Sequence, residues 1–184
     1  MKILYKGGGE IVKATPNKIH IIGSVASGKT TLAKDLSMKL QIPYYELDNV
    51  VWKRSDRGDI RRSEEERKAN LQSITQTDRW IVEGVHSEEW VRGSFQQADV
   101  IVFLDTNYSK RTYRIIKRYV KQKLGQEKAH YQPNLTIFFK MFKWNKHFEQ
   151  VGKPSFFHTY KQYQNKIFVI KNENELSDLF KNND

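Results

Sequence analysis

Residues 18–31 read Lys18-Ile19-His20-Ile21-Ile22-Gly23-Ser24-Val25-Ala26-Ser27-Gly28-Lys29-Thr30-Thr31. An apolar run closes on a glycine, Gly23–Thr30 matches G-x-x-x-x-G-K-[ST], and Leu32, Ala33, Leu36 and Leu40 follow at helical spacing. Strand, glycine-bearing turn and amphipathic helix form the context that a phosphate-binding loop, or P-loop, requires. Glycines let the backbone wind closely around phosphate oxygens, so that successive N–H groups and a helix N-terminus face the anion. Gly23, Ser24, Val25, Ala26, Ser27, Gly28, Lys29, Thr30 and Thr31 are therefore the expected contacts to ATP. Lys29 is expected at the β- and γ-phosphates, the Thr30 hydroxyl on Mg2+, and Thr31 near the α-phosphate. The plain alternative is a glycine-rich turn with a solvated Lys29. Both flanks of the motif argue against it.

Outward from this loop, short apolar stretches alternate with helical ones. Pro43–Leu47, Trp80–Val82, Val100–Leu104 and Ile167–Ile170 read as strands. Ser63 and Glu66 form an S-x-x-E capping box opening a helix to about Thr75. Helices are also expected over Glu88–Phe95, Tyr108–Leu124, Leu135–Phe148, Ser155–Tyr163 and Glu173–Phe180, with a polar break over Gly125–Pro133. This alternation predicts an α/β fold of three layers, α/β/α, around a mainly parallel sheet of five strands. Residues 18–182 read as one P-loop domain. Residues 1–17 precede its first strand, and Gly7-Gly8-Gly9 could turn a small hairpin there.

A P-loop enzyme also needs an acid that holds the metal, partly through water. Asp48, Glu83 and Asp105 all end predicted strands, and ends of parallel strands converge on the ligand crevice. The histidines 86, 130, 147 and 158 show no ligand spacing, so no protein-held transition metal is expected.

The chain of 184 residues has no cysteine, which excludes a disulfide scaffold, a thiolate zinc site and a cysteine nucleophile. It shows no apolar run of transmembrane length and no leader-like h-region, so a cytoplasmic protein is expected. The net charge of +11 points to an anionic partner. Its distribution is uneven: residues 108–166 carry fourteen Lys+Arg and two acids, whereas the rest carries eighteen bases and nineteen acids. The basicity belongs to one segment attached to a nearly neutral remainder.

With these residues placed, the chain from about Lys18 to Phe180 resembles P-loop kinases of the adenylate-kinase-like type. It is most similar to the adenylate-kinase-related proteins described as DNA topology modulation (FlaR-related) proteins. The motifs that carry the likeness are residues 21–33, Leu47-Asp48-Asn49-Val50-Val51-Trp52, Trp80-Ile81-Val82-Glu83-Gly84 and Val100–Asp105. The resemblance implies that Glu83 holds Mg2+ through water alongside Thr30. It implies that Arg114, nine residues after Asp105, stacks on the adenine, and that Arg118, thirteen after it, contacts phosphates at the edge of a mobile lid over about 119–150. A planar guanidinium suits both tasks. The same two residues, with Arg111, Lys117 and Lys121, also fit a solvated basic helix face.

The chain departs from monophosphate kinases where Val85-His86-Ser87 replaces an acceptor-gripping Arg, and where Leu47–Trp52 replaces a G-D-x-[LM]-R run. An acid at the second strand's end resembles small kinases of hydroxylated metabolites, in which Asp48 would orient the acceptor hydroxyl. Arg54, Arg57, Arg61, Arg62 and Arg92 are candidates for an anionic acceptor or, equally, surface charges. The expected activity is an ATP- and Mg2+-dependent phosphotransferase acting on a nucleotide or small metabolite, with Lys29, Asp48, Arg114 and Arg118 as its catalytic set. The alternative is a nucleic-acid-binding ATPase that uses segment 108–166, whose aromatic helix 135–148 offers stacking groups but whose apolar band fits core or lid packing.

Overall fold

Ile19, Ile21 and Ile22, on the strand that ends at Gly23, are fully inaccessible to water, because this strand lies at the centre of a five-stranded sheet with helices on both faces. The computed structural model describes residues 3–7, 10–55, 58–126, 135–171 and 175. In chain order the strands are β1 (Ile3–Gly7), β2 (Glu10–Ala14), β3 (Lys18–Gly23), β4 (Tyr44–Glu46), β5 (Trp52–Lys53), β6 (Ile60–Arg61), β7 (Trp80–Gly84), β8 (Val100–Leu104) and β9 (Ile167–Ile170). The helices are α1 (Lys29–Leu40), α2 (Leu47–Val51), α3 (Glu64–Thr75), α4 (Arg92–Gln97), α5 (Tyr108–Lys123), α6 (Leu135–His147) and α7 (Lys153–Thr159).

The main sheet runs β4-β7-β3-β8-β9, every pair parallel. The expected three-layer α/β fold is the observed one. Its register sets Glu83 opposite Ile21 on one side and Glu46 on the other, and Gly23 opposite Leu104. The ends of β3, β4 and β7 thus meet at one edge. Ile19, Ile21, Ile81, Val100 and Val102 pack on the face that α1 covers with Leu32, Ala33 and Leu36. On the other face Val82, Ile101 and Phe103 pack with Trp80, Phe95, Phe148, Phe156 and Tyr160. Each fully buried side chain of this size stabilises the fold by about 1.5–3 kcal/mol. A third, smaller cluster joins Ala26 of the glycine turn to Ile115 of α5 and Met141 of α6.

The capping box at the start of α3 is formed as the sequence predicts, with Ser63 Oγ accepting from the Glu66 N–H and the Glu66 carboxylate accepting from the Ser63 N–H. Several elements differ from expectation. The chain turns into α2 directly after β4, so Asp48 lies in the first turn of a short helix, not at a strand end. A two-residue hairpin, β5 with β6, follows. The helix expected over 88–95 divides into a 3-10 turn, Glu89–Val91, and α4. α6 runs through a π-helical turn, Phe148–Gly152, straight into α7, which therefore begins at Lys153 rather than Ser155. Trp144 and Leu135 of α6 are exposed, while Ile137, Phe138 and Phe142 pack inward around Met141. β1 and β2 pair antiparallel on either side of Gly8 and Gly9, and those two glycines lie outside the described residues, as do 127–134 of the expected lid and all of the expected closing helix except Glu175. Among the described residues no helix is long and apolar enough to cross a membrane.

Candidate active site

The glycine turn between β3 and α1 is held from three directions. Gly28 has φ +103°, a conformation L side chains rarely adopt, and a Cβ at Gly23 would stand 2.9 Å from the Leu104 carbonyl oxygen. Thr106, just after β8, donates its hydroxyl to the Ser27 carbonyl at 2.9 Å, and Arg114 donates to the same oxygen at 3.0 Å. Ser24 Oγ donates to Asn145 Oδ1 of α6 at 3.2 Å. Lys29 Nζ donates to the Ser24 carbonyl at 2.9 Å, which folds its ammonium back over the loop.

Thr30 Oγ1 donates to Glu83 Oε1 at 2.5 Å. Glu83 is buried, and burial pushes its carboxyl upward, opposed by the Lys29 charge and the Thr30 hydrogen bond. Burial likewise lowers the Lys29 ammonium, with the carboxylates of Glu83 and Asp48 opposing and the guanidinium groups of Arg118 and Arg111 adding to the fall. Low dielectric thus works against the charged form of both groups. A phosphate beside Lys29 and a divalent cation beside Glu83 each favour the charged form, so these donors fit a Mg2+–triphosphate: Lys29 and the loop N–H groups for the anion, Thr30 and Glu83 for the metal. Ser27 Oγ is buried without a hydrogen-bond partner among the described residues, a further polar group available to such a ligand. Among those residues no cluster of three or more His, Asp or Glu could hold a metal by itself.

Beside the loop lies a pocket of about 590 Å3, lined by Ala26–Gly28 and Thr31 on one side, Arg114 and Arg118 on another, and Ile170–Lys171 on a third. Arg114 and Arg118 are one turn apart on α5 and face the same pocket.

Asp48, whose charge acts on Lys29, has a largely exposed carboxylate, with His86 Nε2 at 3.9 Å. His86 Nδ1 lies 3.2 Å from Glu88, and this contact lowers the Glu88 carboxyl to about 2. Asp105 is engaged by Lys153 of α7, which donates to both of its oxygens, at 2.7 and 2.8 Å. Three of the arginines weighed for an anionic acceptor are engaged within the chain, whereas Arg61 on β6 is exposed. Arg54 meets Asn49 and Asp59, Arg62 donates to the carbonyls of Asn49 and Val50, and Arg92 meets Glu89. Arg57 lies outside the described residues.

Two residues that the sequence reading did not assign to the site belong to its frame. Arg111, which spacing alone puts on a solvated face, is fully buried, ion-paired with Glu149, and set over the rings of Tyr108 and Phe148. Asn145 is fully buried and links Ser24 to Thr112 of α5. A signal for Asn145 was present, a polar residue three and four positions after Phe142 and Met141 on an otherwise apolar face.

No protein-family model and no curated protein matches the chain. Solved structures do. A shikimate kinase from Bacteroides thetaiotaomicron superposes with a TM-score of 0.50 at 16% identity, over 89% of this chain and 94% of that one. This chain shares the three-layer α/β fold of that kinase. A shikimate kinase from Aquifex aeolicus (TM-score 0.45, 18% identity, 88% of this chain, 90% of that one) and a gluconokinase from Sinorhizobium meliloti (TM-score 0.49, 11% identity, 89% and 87%) are also similar. At these identities the likeness is one of fold.

Proposed function

We propose that this chain is an ATP- and Mg2+-dependent phosphotransferase of the adenylate-kinase-like class whose acceptor is a hydroxylated small molecule. The observation that carries the reading is the Thr30–Glu83 hydrogen bond beside Lys29, which brings a hydroxyl, a buried carboxylate and an ammonium together under a left-handed glycine turn at the end of a parallel sheet. Loop residues 23–31 hold the phosphates, Thr30 and Glu83 hold the metal, and Arg114 and Arg118 line the nucleotide pocket. The metal supplies charge neutralisation at the phosphates; the chain's own part is positioning and a water-excluding frame. Asp48 orients the acceptor hydroxyl and draws on its proton.

The acceptor side supports a hydroxyl over a phosphate or carboxylate. It presents the exposed Asp48 carboxylate with His86 and Glu88 beside it, and of the candidate arginines Arg54, Arg62 and Arg92 are turned to the chain's own oxygens, which leaves the exposed Arg61 as the one described cation among them without such a partner. Residues 18–182 form one catalytic unit with a basic lid over about 119–150. The finer kinship with the topology modulation group belongs to this proposal and rests on the Leu47–Trp52 and Trp80–Gly84 motifs.

The test is a phosphoryl-transfer screen with γ-labelled ATP against nucleosides, nucleoside monophosphates and polyhydroxylated metabolites. Transfer that Lys29→Ala abolishes and Asp48→Asn reduces by about 100-fold supports the proposal; transfer undiminished in Lys29→Ala overturns it. A second reading, an ATPase that binds nucleic acid, draws on the exposed aromatics Tyr113, Phe139 and Trp144 of the basic segment. It is tested in the same screen by adding DNA. That reading requires stimulated hydrolysis, and binding that weakens steeply with salt.

A further inference from the structure

Ser24, the second residue of the glycine turn, is held at both of its polar ends. Its carbonyl receives Lys29 Nζ at 2.9 Å, and its hydroxyl, fully buried, donates to Asn145 Oδ1 at 3.2 Å. Asn145 in turn donates from Nδ2 to Thr112 Oγ1 at 3.2 Å, and the Thr112 hydroxyl spends its own proton on the Tyr108 carbonyl at 2.9 Å. The donors and acceptors therefore run in one consistent direction, from Ser24 to Asn145 to Thr112 to the backbone of α5. Asn145 uses both ends of its amide, one on the phosphate loop and one on the basic helix, and its side chain is closed to water. One turn later in the same helical run, Glu149 meets buried Arg111, next to Thr112 on α5. The π-helical turn Phe148–Gly152 lies across this contact, and such turns change which residues a helix presents to its neighbour.

We propose that Asn145 is a positioning residue that couples the helices flanking the lid, α5 and α6, to Lys29 through Ser24. This extends the phosphotransferase reading and rests on it for its catalytic consequence. Arg114 and Arg118, which line the nucleotide pocket, ride on α5 two and six residues beyond the Thr112 contact. The clasp therefore fixes in one register the ammonium on the loop side of the phosphates and the guanidinium groups on the lid side. An apolar residue at 145 would fill the space but leave the Ser24 hydroxyl buried without an acceptor, which frees the loop to shift.

The experiment compares wild type with Asn145→Ala, Ser24→Ala and the double variant. Ser24→Ala removes a single oxygen and serves where Asn145→Ala fails to fold. Amide hydrogen exchange by mass spectrometry without nucleotide should show peptides over 24–30 exchanging about tenfold faster in each single variant, and no faster in the double one. β4 and β9 should keep wild-type protection. Uniform acceleration across the sheet, or none at 24–30, overturns the proposal whether or not the protein is a kinase. With a phosphoryl acceptor in hand, kcat should fall about tenfold in both single variants, with KM for the acceptor unchanged and Asn145→Ser restoring part of the loss. Unchanged kcat in variants with a loosened loop would overturn the coupling to Lys29 while leaving the phosphotransferase assignment intact, and a wild type that binds no Mg2+–ATP would overturn that assignment.

Discussion

The Thr30 hydroxyl and the Glu83 carboxylate, 53 residues apart in sequence, share a hydrogen bond of 2.5 Å at the edge where β3 and β7 end. Two constraints produce it. The glycine turn starts α1 at Lys29, so Thr30 faces back toward the sheet, and the parallel register of β7 on β3 brings Glu83 level with Ile21. Neither residue alone argues for the proposed metal site; their approach does.

From that approach follows an outcome for Glu83→Gln. The amide keeps the size and can still accept from Thr30, but it carries no charge. Phosphoryl transfer at saturating ATP should fall by about 100-fold while the fold is retained or slightly stabilised, because a buried carboxylate pushed toward its neutral form costs the apo protein free energy. Single-turnover rates at several Mg2+ concentrations, with urea unfolding alongside, check both halves. Stability lost together with activity would mean that Glu83 is chiefly structural.

Arg114 serves the loop as well as the pocket, since it donates to the Ser27 carbonyl at 3.0 Å while lining the pocket proposed for the nucleotide. Arg114→Lys keeps the charge but loses the planar fork and face. KM for ATP should rise roughly tenfold, matching about 1.4 kcal/mol of stacking and hydrogen bonding, with a much smaller change for the acceptor. Steady-state kinetics with ATP and GTP decide the matter, because a stacking role tolerates a change of purine.

The glycine turn, the carboxylate that meets Thr30 and the arginines that line the pocket are legible because each is written in short spacings: an eight-residue motif, an acid closing a strand, two arginines one turn apart. What escaped depended on distant partners. Arg111 is indistinguishable in sequence from the exposed Lys117, and it is Glu149 and Phe148, 38 and 37 residues on, that cover it. α2 hides in Leu47–Val51, too short to show a helical period, which is why Asp48 reads as a strand end. The π turn leaves no mark in composition, so the start of α7 was placed two residues late.

His20 gives the fold an acid-sensitive point. The Ser94 hydroxyl donates to the Val91 carbonyl, so at 3.0 Å from Ser94 Oγ the His20 Nδ1 must be the donor, leaving Nε2 buried, unprotonated and without a partner among the described residues. Burial lowers its pKa from 6.5 to about 3. Between those values the unfolded chain binds the proton and the folded one does not. The contribution is therefore complete above pH 6.5 and shrinks as pH falls toward 3, by about 1.4 kcal/mol for each pH unit. Urea midpoints at pH 7.5 and 5 should separate for wild type by more than for His20→Asn. Equal separations would show that other groups govern the acid limb.

The Arg111–Glu149 pair should respond unequally to loss of either partner. Arg111 is wholly closed to water and its Nε and Nη1 already lack hydrogen-bond partners among the described residues, whereas the Glu149 side chain is 39% exposed and has Lys153 at 3.9 Å. Glu149→Gln strands a buried guanidinium without a counter-charge, at a cost of about 3 kcal/mol. Arg111→Met strands a carboxylate that water and Lys153 can still reach, and methionine keeps contact with the Tyr108 and Phe148 rings, so the cost is about 1 kcal/mol. Chemical denaturation of the two variants therefore orders them with Glu149→Gln the less stable. The reverse order would mean that the guanidinium is held mainly by its aromatic neighbours, and that Glu149 adds charge to the surface more than support to the core.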